Sequence, residues 1–277
     1  MTSAQHVLLR KQEPRAAIPF GWALGSCLRR STALFGGIIL LSLATAAQAD
    51  IKWEIVKTLP HDTSAFTQGL FIADGQIYES TGLVGKSELR VLRLSDAKLL
   101  RRKPIRSDLF GEGIAPWKDK LVSITWQTGE GFVWQRKDFK QVKAFRYAGE
   151  GWGLTSDGKA LIMSDGSAEL RFLDPETQKE QRRVTVTWNG APVRNLNELE
   201  YVDGAVYANI WYAPLIAKID PTSGAIIDWL NLAPLVADNI GRDSGAVLNG
   251  IAWDEKAKLL YVTGKNWPRM YALRLVP

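Results

Sequence analysis

Between residues 50 and 277 the apolar residues come in short runs rich in aromatic and β-branched side chains, and Gly, Asp, Asn and Pro punctuate them. No long stretch carries the 3.6-residue period of an amphipathic helix, so the pattern predicts β-strands joined by turns. A repeat underlies the runs. Gln68-Gly69-Leu70, Glu112-Gly113-Ile114, Trp152-Gly153-Leu154, Asn197-Glu198-Leu199 and Asn249-Gly250-Ile251 share one form, a polar or aromatic residue, then Gly or Glu, then an aliphatic residue. Their spacings of 44, 40, 45 and 52 residues match the length of a four-stranded propeller blade.

Each anchor is followed by a second strand-like run, at Gly75–Ser80, Leu121–Trp126, Ala160–Asp165, Ala205–Trp211 and Leu259–Gly264. A third run comes next, at Glu88–Leu94, Gly131–Arg136, Glu169–Leu173, Leu215–Ile219 and Arg269–Leu275. Two of these leave through matching turns, Asp174-Pro175-Glu176-Thr177 and Asp220-Pro221-Thr222-Ser223. The fifth unit stops after its third strand, and the spare run Lys52–Leu59 can supply the missing outer one. The chain is therefore expected to be all-β, a five-bladed β-propeller whose N-terminal strand closes the last blade and hides the sheet edges. An open β-sandwich is the alternative.

Residues 1–49 differ from the rest. Arg10, Lys11, Arg15, Arg29 and Arg30 face a single acid, Glu13, and the apolar stretch Leu34–Leu43 leads to Ala47-Gln48-Ala49. A basic segment, an apolar core too short to span a bilayer and a small-x-small ending read as a signal peptide. The expected product is an exported protein, periplasmic or extracellular, with no stable membrane association and a catalytic domain spanning 50–277.

Charge and composition then narrow the chemistry. The chain carries 35 Lys and Arg against 29 Asp and Glu; without the leader's five and one the balance is 30 against 28. Nothing in that balance favours nucleic acid. The one cysteine, Cys27, and one of the two histidines fall in the leader, which leaves His61 alone after residue 49. Thiol nucleophiles, disulfides and multi-histidine metal sites are excluded on count. The chemistry has to come from carboxylates, amides, lysine and indoles.

In a propeller the first strand of each blade lines the central channel, so Gln68, Glu112, Trp152, Asn197 and Asn249 are expected to ring one mouth. The ends of the second strands bring Trp126, Asp165, Trp211 and Lys265 to the same neighbourhood. Burial beside indoles raises the pKa of Glu112 toward neutrality, where a carboxyl both gives and takes protons. Gln68, Asn197 and Lys265 are fixed donors suited to a carbonyl oxygen that becomes negative, and the tryptophans supply apolar walls. Asp165 reads as a turn residue and His61 as a loop or structural one.

The strings Phe66-Thr67-Gln68-Gly69-Leu70, Phe110-Gly111-Glu112-Gly113, Gly149-Glu150-Gly151-Trp152-Gly153-Leu154, Leu196-Asn197-Glu198-Leu199-Glu200, Ala208-Asn209-Ile210-Trp211 and Val262-Thr263-Gly264-Lys265-Asn266-Trp267-Pro268 resemble the plant- and bacterial-type glutaminyl cyclases. The likeness runs in order over residues 52–277. It implies a metal-independent, cofactor-free transferase that converts N-terminal glutamine of peptides or proteins to pyroglutamate and releases ammonia; separately, the chain is expected to be a monomer. The likeness further implies Glu112 as acid/base, Gln68, Asn197 and Lys265 as substrate-polarising groups, and Trp126, Trp152 and Trp211 as pocket walls. Two other readings are a propeller that only binds ligands outside the cell and a lactonase-type propeller holding a divalent cation through Glu112, Asn197 and Asn249.

Overall fold

The chain enters the fold through strand β1 (Lys52–Pro60) and then builds four sheets in succession. The computed structural model describes residues 50–239 and 245–276, all within one unit, Gln48–Pro277; the predicted leader lies outside the described residues. The first blade is β2 (Thr67–Ala73), β3 (Gln76–Thr81), β4 (Glu88–Arg93) and β5 (Leu99–Pro104), and the second is β6 (Gly111–Trp117), β7 (Lys120–Thr125), β8 (Glu130–Gln135) and β9 (Gln141–Arg146). The third is β10 (Leu154–Ser156), β11 (Leu161–Met163), β12 (Glu169–Leu173) and β13 (Glu180–Thr185). A small hairpin, β14 (Thr187–Trp188) with β15 (Ala191–Pro192), precedes the fourth, β16 (Leu196–Val202), β17 (Ala205–Ile210), β18 (Leu215–Ile219) and β19 (Ile226–Asn231).

A short helix α1 (Ala233–Asn239), its first turn capped by the Asn231 side chain, leads to β20 (Leu248–Asp254), β21 (Leu259–Gly264) and β22 (Arg269–Val276). Strand β1 then completes the fifth sheet, pairing antiparallel with β22 from Lys52 opposite Val276 to Pro60 opposite Arg269. The inner strands touch in cyclic order, β2, β6, β10, β16, β20 and back to β2. This is the expected five-bladed propeller with its N-terminal strand in the last blade. The helix and the small hairpin are additions that the strand pattern did not predict.

The repeated anchor has a geometric reason. In four blades the ladder between the first two strands shifts register at the anchor, between Thr67 and Gly69, Gly111 and Ile114, Leu196 and Leu199, and Leu248 and Ile251. Such a bulge re-aims the side chain that stands on it. In the third blade the strand proper begins only at Leu154, because Trp152 and Gly153 bond irregularly: Gly113 donates to the Trp152 carbonyl, Trp152 donates to the Ser164 carbonyl, and Ser164 donates to the Gly153 carbonyl.

The small residue of the anchor is set by the crowding of neighbouring inner strands. A Cβ on Gly113 would stand 2.4 Å from the Leu154 nitrogen, and one on Gly153 2.1 Å from the Asn197 carbonyl oxygen. Glu198 is the exception, and its side chain ties three blades: its two oxygens accept from the Leu70 nitrogen at 3.1 Å and the Ile251 nitrogen at 2.7 Å. Glu200 accepts from the Trp253 nitrogen at 2.8 Å and from Thr155 Oγ1 at 3.2 Å. Burial raises both carboxyls, Glu198 well above its ordinary range with Glu200 adding to it, and Glu200 to about 8.

Candidate active site

The residue that follows the second strand donates its backbone N–H to the carbonyl two positions before the anchor in four of the blades: Gly82 to Phe66, Trp126 to Phe110, Trp211 to Asn195 and Lys265 to Val247. Three of the predicted site residues are thereby fixed at equivalent places on one mouth. The anchors supply the others. Gln68, Glu112, Asn197, Trp126, Trp211 and Lys265 are all buried and Trp152 is half-buried.

Glu112 is 3% exposed. Gln68 Nε2 donates to its Oε1 at 3.2 Å, while Gln68 Oε1 accepts from Asn249 Nδ2 at 3.3 Å. Burial pushes the Glu112 carboxyl well above its usual range; the nearby Lys265 ammonium opposes that rise and Glu150 reinforces it. The same burial lowers Lys265 to about 8, against the pull of Glu112. An acid driven up and a base driven down therefore lie near each other in a buried site.

Lys265 is held by its surroundings. Its Nζ lies 4.8 Å from the centre of the Phe66 ring, a cation–π contact. Phe66 meets Phe110 edge-on at 6.3 Å, and Phe110 meets Trp126 at 5.5 Å. The turn that carries Lys265 is pinned to the start of the first blade, since Asn266 donates to Ala65 and His61 to Pro268 through their backbones. His61 places Nδ1 2.8 Å from the Trp267 carbonyl and Nε2 2.9 Å from Glu79 Oε1. Both neighbours are acceptors, so both ring nitrogens carry protons. Burial alone would lower the His61 pKa, but Glu79 and the Trp267 carbonyl carry it above its ordinary value.

The indole walls form a connected arc. Trp126 Nε1 and Trp152 Nε1 both donate to Glu150 Oε2, at 2.8 Å and 2.9 Å, and Gln127 Nε2 donates to Glu150 Oε1 at 3.2 Å. Trp152 meets Trp211 edge-on at 5.2 Å, and Trp211 lies 4.6 Å from the exposed ring of Tyr212. Asn197 joins through its backbone, whose carbonyl accepts from Ser164 Oγ at 2.6 Å.

A model of the glutamine cyclotransferase family matches residues 32–275. The chain belongs to the glutamine cyclotransferase family. It is 41% identical over 226 residues to a glutaminyl-peptide cyclotransferase of Arabidopsis thaliana, covering 80% of this chain and 71% of that one. Among solved structures it is similar to the glutaminyl cyclase of Myxococcus xanthus, with a TM-score of 0.76 and 34% identity over 83% of this chain and 100% of the other.

The cyclotransferase site contains groups that the sequence reading passed over. Phe66, Phe110 and Glu150 each stand two residues before an anchor, and that shared offset is the signal that would have found them. Asn249, which the lactonase reading needed as a metal ligand, donates its Nδ2 to the Thr67 carbonyl and to Gln68, while its buried Oδ1 has no hydrogen-bond partner among the described residues. Among the described residues no group of three or more His, Cys, Asp or Glu side chains is arranged to hold a metal ion. Asp165 is a turn residue as read: its carboxylate accepts from the Ser167 nitrogen. A cavity of about 600 Å³ lined by Lys52, Asp203, Tyr207, Lys218 and Trp253 lies at the opposite ends of the blade strands, away from Glu112.

Proposed function

We propose that this cyclotransferase closes the N-terminal glutamine of peptides and proteins into pyroglutamate without a metal, Glu112 passing one proton from the attacking nitrogen to the departing one. The observation that carries this reading is the buried Glu112 carboxyl, raised in pKa, hydrogen-bonded by Gln68 and faced by Lys265. The substrate brings its own nucleophile. Its α-amine has an ordinary pKa of about 7.7–8.0, so a neutral fraction is present near neutral pH.

The free amine attacks the side-chain amide carbon, a C–N bond forms, and the carbonyl oxygen takes up negative charge. Lys265, Gln68 and Asn197 are the donors available to that oxygen; loss of one such donor costs about 2.7–4 kcal/mol in other enzymes. Glu112 takes the proton from the ring nitrogen and delivers it to the amide nitrogen. The carbonyl re-forms, the old C–N bond breaks, and ammonia departs. Held in a narrow indole-walled slot, the glutamine reacts within itself, where effective molarities reach roughly 10⁵–10⁸ M. Trp126, Trp152 and Trp211 line the slot and keep out the water that would yield glutamate instead.

The groups around Glu112 are amides, an ammonium, indole N–H donors and the Glu150 carboxylate, and the steps above ask no divalent cation of them. Export to the periplasm or beyond is supported by the basic segment, apolar run and Ala47-Gln48-Ala49 of the leader. The test is isotopic. A glutaminyl dipeptide labelled with ¹⁵N in its side-chain amide is incubated with chelator-treated enzyme in H₂¹⁸O. The reading predicts ¹⁵N-ammonia and a pyroglutamyl product free of ¹⁸O. Incorporation of ¹⁸O, or activity that a chelator abolishes and a divalent ion restores, would contradict it.

A further inference from the structure

The convergence of two indole N–H groups on a single carboxylate oxygen calls for an explanation. Trp126 follows the second strand of the second blade, whereas Trp152 is the anchor of the third. The two segments are joined at this point by one backbone bond, Gly151 N–H to the Trp126 carbonyl at 3.0 Å, and both Nε1 atoms end within 2.9 Å of Glu150 Oε2. Gln127 holds the other oxygen at 3.2 Å. Glu150 stands two residues before Trp152, on the segment that crosses from β9 to β10. It is half-buried, so its charge is only partly screened.

The geometry points to Glu150 as a positioning residue for the reaction: it fixes the rotation of two pocket walls. This rests on the cyclase reading of the site. An indole ring turns about two side-chain bonds, and a charge-assisted hydrogen bond to its N–H selects one orientation. Because Trp152 in turn meets Trp211 edge-on, one carboxylate sets the arc from Trp126 through Trp152 to Trp211.

Two substitutions test this. In Glu150→Gln the amide oxygen can take the place of Oε2 and keep both indole bonds, whereas in Glu150→Ala both are gone. Near-UV circular dichroism of the ligand-free Glu150→Gln protein and its KM for a glutaminyl dipeptide should stay close to wild type. Glu150→Ala should show an altered indole spectrum and a KM raised about tenfold or more.

An indole spectrum and KM of Glu150→Ala that coincide with wild type overturn the positioning role, as does a Glu150→Gln protein that behaves like Glu150→Ala. Should wild type release no ammonia from the dipeptide, the cyclase reading fails instead. The spectra of the ligand-free proteins still decide the positioning role, since they need no turnover.

Discussion

Gln68 and Glu112 share a hydrogen bond of 3.2 Å from amide Nε2 to carboxyl Oε1, and the other end of the same amide accepts from Asn249 at 3.3 Å. The amide therefore points its nitrogen at the acid and cannot reverse without facing Asn249 donor to donor. Asn249 also donates to the Thr67 carbonyl at 2.8 Å, so it fixes both the side chain and the backbone beside it. Replacing Asn249 with Ala releases that constraint. We expect kcat to fall about tenfold or more, with a stability loss of about 1–3 kcal/mol from the carbonyl left unpaired; steady-state kinetics and denaturant melts check both.

Four buried groups shift in the same direction. Glu112, Glu198 and Glu200 have carboxyls raised by burial, Glu200 from 4.5 to about 8, and His61 is raised by its contacts with Glu79 and Trp267. Each binds its proton more tightly folded than unfolded. Their contribution is complete below the unfolded pKa and is lost as pH climbs to the folded one. Lys265, lowered to about 8 from 10.5, acts with opposite sign only above about pH 8. Tm should therefore fall between about pH 5 and 8, each group adding up to about 1.4 kcal/mol per unit. Glu200→Gln, whose amide can still accept from Trp253 and donate to Thr155, should show a shallower fall.

Trp211 is 7% exposed and contacts the half-buried Trp152 on one side and the exposed Tyr212 on the other. Truncation to Ala opens the slot to solvent while leaving Glu112, Gln68 and Lys265 in place. KM for a glutaminyl dipeptide should rise about tenfold with a smaller change in kcat, and chromatography of the products should reveal glutamyl peptide beside the pyroglutamyl one.

Gly113 has no room for a methyl group. A Cβ there would stand 2.4 Å from the Leu154 nitrogen and 2.6 Å from the Gly153 carbonyl carbon, both backbone atoms of the next blade. Gly113→Ala should cost at least about 3 kcal/mol, read from the shift of the denaturation midpoint. Lys118→Ala, at an exposed turn of the same blade, is expected to stay within about 0.5 kcal/mol.

The fold was legible because the repeat writes a geometric demand directly into residue type. Gly69, Gly113 and Gly153 meet the backbone of the next blade, and that demand recurs at the first three anchors. The placement of Glu112, Trp126, Trp211 and Lys265 followed from counting along equivalent strands. What stayed hidden depends on contacts between residues far apart in the chain. Glu150 is defined by Trp126, 24 residues earlier, and Glu198 by Leu70, 128 residues earlier. In Glu150-Gly151-Trp152 the carboxylate reads as an ordinary turn residue until the second indole arrives. Helix α1 escaped because its seven residues are too few to establish a period.

The central claim is that one carboxyl moves the proton. Its most direct test is ammonia release from a glutaminyl dipeptide by wild type and by Glu112→Gln, with near-UV circular dichroism confirming that both are folded. The amide keeps the shape of the acid and can still bond to Gln68, but it can neither take nor give the proton. Turnover should drop by about 10²–10⁴-fold or more with the fold intact. A folded Glu112→Gln enzyme that releases ammonia at the wild-type rate would contradict the account.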